Sequence, residues 1–453
     1  MKTILFRFTL LSIIVSISLS CSSSTETSTD FPDIDGFDAT IGENTTMVPP
    51  HVTDAGLNSY DEENHIYRFD ADVIADADIS LNVGEIMLIE GLALRKITSV
   101  SESNGEIEVE TEFAALNEAF ENLDINWQQT IEFTPDILAN STLEYDGKEY
   151  RPNKISDDGT IEYKGTFGNF EIEARMTPHH SEVEMSLLVK YDLGNSSGAM
   201  LTHANVKGFE QETIIQIADH ETREFSFNNL NMAGEIEMLF IFAGGVSNEQ
   251  SFSPPQPAIN IPFMVGPIPM RFRIGTIFVT EFGLGVNGTA QMKTTMTYDG
   301  DMGFQVTGAE FNPMATGGIQ NPNSEPAEGT AAAFSGRVHG QYGVAIPDIS
   351  LRIFGVPAVA YLRQEYYIGA SYTFPTCTEM YGRYAVNTGL DVANPTGLSI
   401  LDLSRNHNIA DVITHDFESD GCSPNKINPF DHIFIPQKDF ESIPQFPFKV
   451  EAG

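Results

Sequence analysis

From Arg271 to Val306 the chain reads RFRIGTIFVTEFGLGVNGTAQMKTTMTYDGDMGFQV. Phe272, Ile274, Thr276, Phe278, Thr280, Phe282 and Leu284 share one side of an extended backbone, while Gly275, Gly283 and Gly285 fall on the other. Successive side chains of a strand point to opposite faces, so this alternation is a strand signal. Glycines behind a bulky face permit bending and close backbone approach, which predicts a long, curved strand. The same character returns in GQYGVAIPDISLRIFGVPAVAYLRQEYYIGASYTF and MYGRYAVNTGLDV. Upstream, Asp146-Gly147 and Asp158-Gly159 punctuate runs such as GTIEYKGTFGNFEIEARM and EVEMSLLVKYDL, which alternate in part. The expected fold is mainly β, with curved antiparallel sheets forming a sandwich or a closed soluble barrel.

A smaller α+β unit is expected ahead of these strands. In LRKITSVSESNGEIEVETEFAALNEAF, Asn104-Gly105 suits a two-residue hairpin turn, because both residues tolerate positive φ. The turn sets Ser103 opposite Glu106, Val100 opposite Val109 and Thr98 opposite Thr111, with Ile107 and Phe113 on the apolar face. Glu106, Glu108, Glu110 and Glu112 occupy the other face and read as a solvated strand face. Leu116, Ala119, Phe120 and Leu123 recur at helical spacing and predict a short helix closing over the hairpin. The organisation expected is a signal peptide at 1–20, a flexible acidic Ser/Thr-rich tether at 21–55 and the α+β unit at 56–135. A β domain at 136–250, a curved long-strand β domain at 259–404 and a loop-rich tail at 405–453 follow. SFSPPQPA marks the corner between the two β domains.

The first twenty residues carry Lys2 and Arg7 ahead of an apolar run from Phe8 to Leu19 that is too short for a membrane span of about 20 residues. Ser18-Leu19-Ser20-Cys21 and the polar SSSTETSTD come next. This start resembles the signal peptides of bacterial lipoproteins, in which the cysteine is acylated and becomes the new N-terminus. The resemblance implies lipid attachment at Cys21 and anchorage at the outer membrane or cell surface of a bacterium. The family's usual Leu three places before the cysteine is Ser18 here, and Ser18-x-Ser20 also suits ordinary signal peptidase, which would leave Cys21 a free thiol. The chain has three cysteines. Acylation of Cys21 explains the odd one, and Cys377 and Cys422 are then expected to pair in an oxidising compartment. A lipid anchor and the uneven strand spacing weigh against an outer-membrane barrel. The order of turns from Gly91 to Phe120 and the later FGVPAVAYLRQEYYIG also resemble exported all-β bacterial proteins of unassigned function, from which no functional residue carries over.

Against 24 basic residues the chain has 64 acidic ones, a formal net charge of −40. That field repels nucleic acid and anionic lipid surfaces. Asp33, Asp35 and Gly36 match part of a calcium-loop pattern, but Phe31 and Gly42 stand at its first and closing ligand places. His179-His180, with His203 and His220 nearby, is the best metal candidate; adjacent strand residues face opposite ways, so an exposed turn after Pro178 is the reading kept. No nucleophile elbow, zincin motif or phosphate loop occurs in the sequence. No catalytic residue, metal ligand or cofactor is assigned. The expected function is non-enzymatic binding or adhesion, with a surface glycan, a protein or an apolar ligand as partner. A carrier holding a lipid among its Phe- and Met-rich strands is the alternative. A polysaccharide hydrolase is disfavoured because Trp127 is the sole tryptophan.

Overall fold

In a computed structural model of the chain, residues 36–418 and Cys422 are described, outside 62–63, 146–147, 180, 193–195, 245–249, 253, 285–287, 309, 327–330, 333–335, 355, 375–376 and 391–406. Strand makes up 75% and helix 8%, and the antiparallel sheets curl into half-barrels, as the sequence predicted. A twelve-stranded sheet runs from Phe37–Ile41 through Phe120–Ile131, Phe209–Ala218, Glu221–Gly244, Ser196–Lys207, Glu182–Asp192, Phe170–His179 and Ile161–Phe167 to Lys154–Ile155. Gly288–Thr307 branches from Glu221–Gly244 and carries Glu310–Pro326 and Ala331–Ala332. A nine-stranded sheet runs Lys148–Tyr150, Thr142–Tyr145, Gln256–Val265, Ile268–Leu284, Gly336–Ile353, Val356–Phe374, Cys377–Leu390, His407–Glu418, with Gln250–Phe252 beside Ile268–Leu284.

These two sheets bury their apolar faces against each other. In the Phe170–His179 strand Phe170, Ile172, Ala174 and Met176 are buried while Glu171, Glu173 and Arg175 are exposed, the alternation of a half-buried antiparallel sheet. Phe272 of the nine-stranded sheet meets Phe209 and Phe227 of the twelve-stranded one, each at 6.1 Å between ring centroids. Trp127 stacks on Phe263 across the same space at 4.3 Å. Phe272, Ile274 and Phe278 lie in this core, so the alternation read at Arg271–Phe278 holds in three dimensions.

The six-stranded sheet, ordered Thr45–Val48, Ile86–Ile89, Ala93–Ser103, Glu106–Phe113, Ile66–Asp70, Leu57–Asp61, has a second, smaller core with Phe69, Ile97 and Val109. The hairpin register follows the expectation from Ser103↔Glu106 to Val100↔Val109 and then shifts, placing Ile97 opposite Thr111. Thr98 is the extra residue, and its Oγ1 donates to the Glu110 carbonyl at 3.0 Å. Phe113, at the end of its strand, is 37% exposed, where a core position was expected. The expected helix is a single turn, Leu116–Ala119, capped by the Glu118 carboxylate accepting from the Ala115 N–H. Phe120 and Leu123 belong to the strand that follows, and with Leu116 and Ala119 they enter the large core instead of covering the hairpin.

Part of the stretch expected to be tether is folded. Phe37–Ile41 pairs with Phe120–Ile131, and Thr45–Val48 pairs in parallel with Ile86–Ile89. Phe37 and Val48 bury there, apolar anchors that acidic neighbours masked in the composition. His407–Glu418 is likewise a strand within the stretch expected to be loop-rich tail. The signal peptide, Cys21, the tether up to residue 35, His180 and the tail beyond 418 other than Cys422 lie outside the described residues.

Candidate functional site

The middle strands of the nine-stranded sheet are buried on both faces, over residues 343–351 and 360–369. One face enters the large core through Ile349, Leu351 and Leu362. The other is polar, and β pairing assembles it: Asp348 lies opposite Gly275 on one side and Arg363 on the other, and Arg273 lies opposite Ser350. Asp348 is fully buried, accepting from Arg363 Nε at 3.0 Å and from Arg273 Nη1 at 3.2 Å. Arg273 also donates to both oxygens of Glu144, at 2.9 and 2.8 Å, a bidentate pair. Arg363 Nη1 lies 3.6 Å from Glu365 Oε1, and the Tyr367 hydroxyl donates to Glu365 Oε2 at 2.7 Å.

Gly275 makes room for this arrangement. A methyl group at Gly275 would run into the Arg273 guanidinium, which folds over that position to reach Asp348. The glycine read from sequence as a source of curvature is also a seat for a neighbouring cation.

Burial opposes the charged form of Arg273, and the adjoining Glu144 and Asp348 more than compensate, raising its pKa above the ordinary arginine value. Arg363 shows the same balance, with burial outweighed by Asp348 and Glu365. The Glu365 carboxyl is pushed up, chiefly by burial, against the opposing pull of Arg363. A general acid or base must come within hydrogen-bond reach of a substrate. Asp348 is closed from solvent with both oxygens engaged by arginines, so it is held for structure and not for proton transfer. Further along the same face Arg271 stands opposite Arg352.

Cys377 and Cys422 form a disulfide, with Cα atoms 4.7 Å apart. Glu379 lies close to both sulfurs, but sulfurs bonded to each other offer no thiolate to a metal. The histidines are dispersed. His179 Nε2 is 3.3 Å from Glu184 Oε2, His220 Nδ1 is 3.0 Å from the Asn117 carbonyl, and His203 is exposed on the Ser196–Lys207 strand. Glu108 is engaged by Arg68 at 2.7 Å across the Ile66–Asp70 ladder, so the glutamate row is in part a cross-strand ion-pairing face. Sequence reasoning missed the arginine network altogether. Its signal was there in RFRIG, SLRIF and YLRQEY, arginines set inside apolar strands of an acid-rich chain.

Searches against protein-family models, curated proteins and solved structures find no match to this chain.

Proposed function

We propose that the protein is an exported, lipid-anchored binding protein, held through Cys21 at the outer membrane or cell surface of a bacterium and presenting its β body to a partner. The observation that carries this reading is Cys21 itself, preceded by a charged start and an apolar run and followed by SSSTETSTD ahead of the first strand at Phe37. The partner is a surface glycan, a protein or an apolar ligand; the charge of −40 argues against nucleic acid. Two voids among the described residues, beside Phe133 and Ile274 and beside Tyr298 and Gln364, measure about 10 and 20 Å³, room for a water each. The buried carboxylates Asp348 and Glu365 are tied to Arg363, which does not suit the freely reachable acid pair that glycoside hydrolysis needs.

Replacing Cys21 with Ser is expected to move the protein from the membrane pellet to the soluble exported fraction, with the mass of the diacyl group lost from the N-terminal peptide. A Cys21→Ser variant that still pellets with membranes removes the anchor from this reading.

A further inference from the structure

Cys377 opens the strand Cys377–Leu390, and Cys422 lies just beyond His407–Glu418, the last strand of the nine-stranded sheet. Their disulfide therefore fastens the outermost strand of that sheet to its neighbour. Both cysteines are only half-buried, so enclosure alone does not protect the bond. A carboxylate stands beside it. An oxygen of Glu379 and the two sulfurs all lie within 4.8 Å of one another. The Tyr381 hydroxyl donates to Glu379 Oε1 at 3.2 Å, which holds that carboxylate in place.

Among the described residues Glu379 is in no ion pair. Arg383, the sole cation of its strand, lies four residues on, about 13 Å along an extended backbone. Its Nε and Nη2 already donate to the two oxygens of Asp411, at 2.9 and 2.7 Å. The residue opposite Glu379 on the outermost strand is Glu418, another acid. Most of the chain's net charge of −40 lies too far away to matter at the sulfurs. Physiological salt screens charges beyond about 8 Å, and Glu379 stands well inside that distance.

We propose that Glu379 is an electrostatic guard on the Cys377–Cys422 bond, turning away anionic thiols while leaving the bond open to neutral and cationic reductants. Exchange begins when a thiolate attacks one of the two sulfurs. A new S–S bond forms to the attacker, the Cys377–Cys422 bond breaks, and the other cysteine leaves with the electron pair as a thiolate that water protonates. A second thiolate then attacks the attached reagent's sulfur and frees the remaining cysteine. Two reagent thiols are oxidised to a disulfide, and the protein's disulfide is reduced to two thiols. In the first step negative charge both arrives and is created beside a fixed carboxylate, and Coulomb repulsion opposes each. The guard keeps the outermost strand fastened among acidic thiols of the glutathione kind. The inference stands independently of the anchor at Cys21.

The test is the rate at which the purified, oxidised protein loses this bond, followed by alkylation and mass spectrometry of the Cys377 and Cys422 peptides. Cationic cysteamine, neutral mercaptoethanol and anionic mercaptoethanesulfonate are compared at equal thiolate concentration, beside the uncharged tris(hydroxypropyl)phosphine. In the wild type the rates are expected to fall in the order cysteamine, mercaptoethanol, mercaptoethanesulfonate. Glu379→Gln removes the charge and keeps an oxygen for the Tyr381 hydroxyl. It is expected to speed mercaptoethanesulfonate about tenfold, cysteamine much less and the phosphine not at all. Glu171→Gln, on the outer face of the twelve-stranded sheet, is expected to change none of the rates. Equal wild-type rates for the three thiols overturn the proposal without any variant. Unchanged thiol rates in Glu379→Gln overturn it too. So does a phosphine rate that rises in the variant as much as the thiol rates, because Glu379 would then act by covering the bond and not by its charge.

Discussion

Lys190 with Glu171 and Arg273 with Glu144 are the same kind of contact, a cation and a carboxylate within one sheet, set in opposite surroundings. The first pair spans 3.4 Å on the outer face of the twelve-stranded sheet, with its side chains 52% and 57% exposed. The second spans 2.8 Å with Arg273 only 7% exposed. Water and salt screen the outer pair, and two long side chains lose freedom to form it, so little net stability remains. Arg273 of the inner pair has lost nearly all of its hydration, and its charge now depends on the carboxylates around it. Whether such a network stabilises the fold relative to apolar residues is a separate matter from whether it can lose one member. The difference teaches that an ion pair's importance is read from what its removal strands.

The largest effect is expected at Asp348. Changing Asp348 to Asn leaves Arg273 and Arg363 both short of a counter-charge, and about 3–5 kcal/mol of stability should be lost, measured as a shift in denaturant midpoint. A shift no larger than that for an exposed pair would erase the distinction between the two regions. Gly275→Ala comes next, since its methyl group displaces a guanidinium held at both ends. Overpacking of this kind costs about 1–3 kcal/mol, and circular dichroism melts would detect it.

Glu365 sharpens the comparison through pH. Burial raises its pKa in the folded state, so the folded protein holds that proton more tightly than the unfolded chain does. The resulting stability is fully present below the unfolded glutamate pKa and is lost as pH rises through the folded one. Denaturation curves of wild type and Glu365→Gln taken from acid to neutral pH should therefore diverge, the wild type losing ground to the variant as pH rises. Parallel curves would mean that Glu365 is as well stabilised when ionised as a carboxylate in water. Smallest of all, Lys190→Ala should cost less than about 1 kcal/mol, within the error of most melts.

How far the sequence disclosed this molecule depends on the range of the interaction. Alternation at Phe272, Ile274 and Phe278 is a local property, and it carried over into the core intact. The turn at Asn104-Gly105 fixed the hairpin register as far as Ser99, after which Thr98 bulges with its hydroxyl donating to the Glu110 carbonyl; Phe113, read as a core position, is exposed at the strand end. Pairing Cys377 with Cys422 followed from the odd count of three cysteines, once Cys21 was set aside by its resemblance to a lipoprotein cysteine. Glu144 and Arg273 are 129 residues apart in the chain, and no local pattern announces which acid, among 64, will meet which arginine. Charge was visible at once, and partnership was not.

The four residues Ile86–Ile89 have a consequence of another kind. All are buried, with Ile86 and Leu88 in the large core and Met87 and Ile89 in the small one. Neighbours on a strand cannot turn independently, because one backbone ladder orients them both. The short strand acts as a party wall between two rooms, and neither side can be dismantled while the other stands. The six-stranded sheet is therefore not a detachable module. Its amides should exchange with solvent only when the whole body opens, and a fragment cut away just after the hairpin would carry off a wall with one face stripped bare.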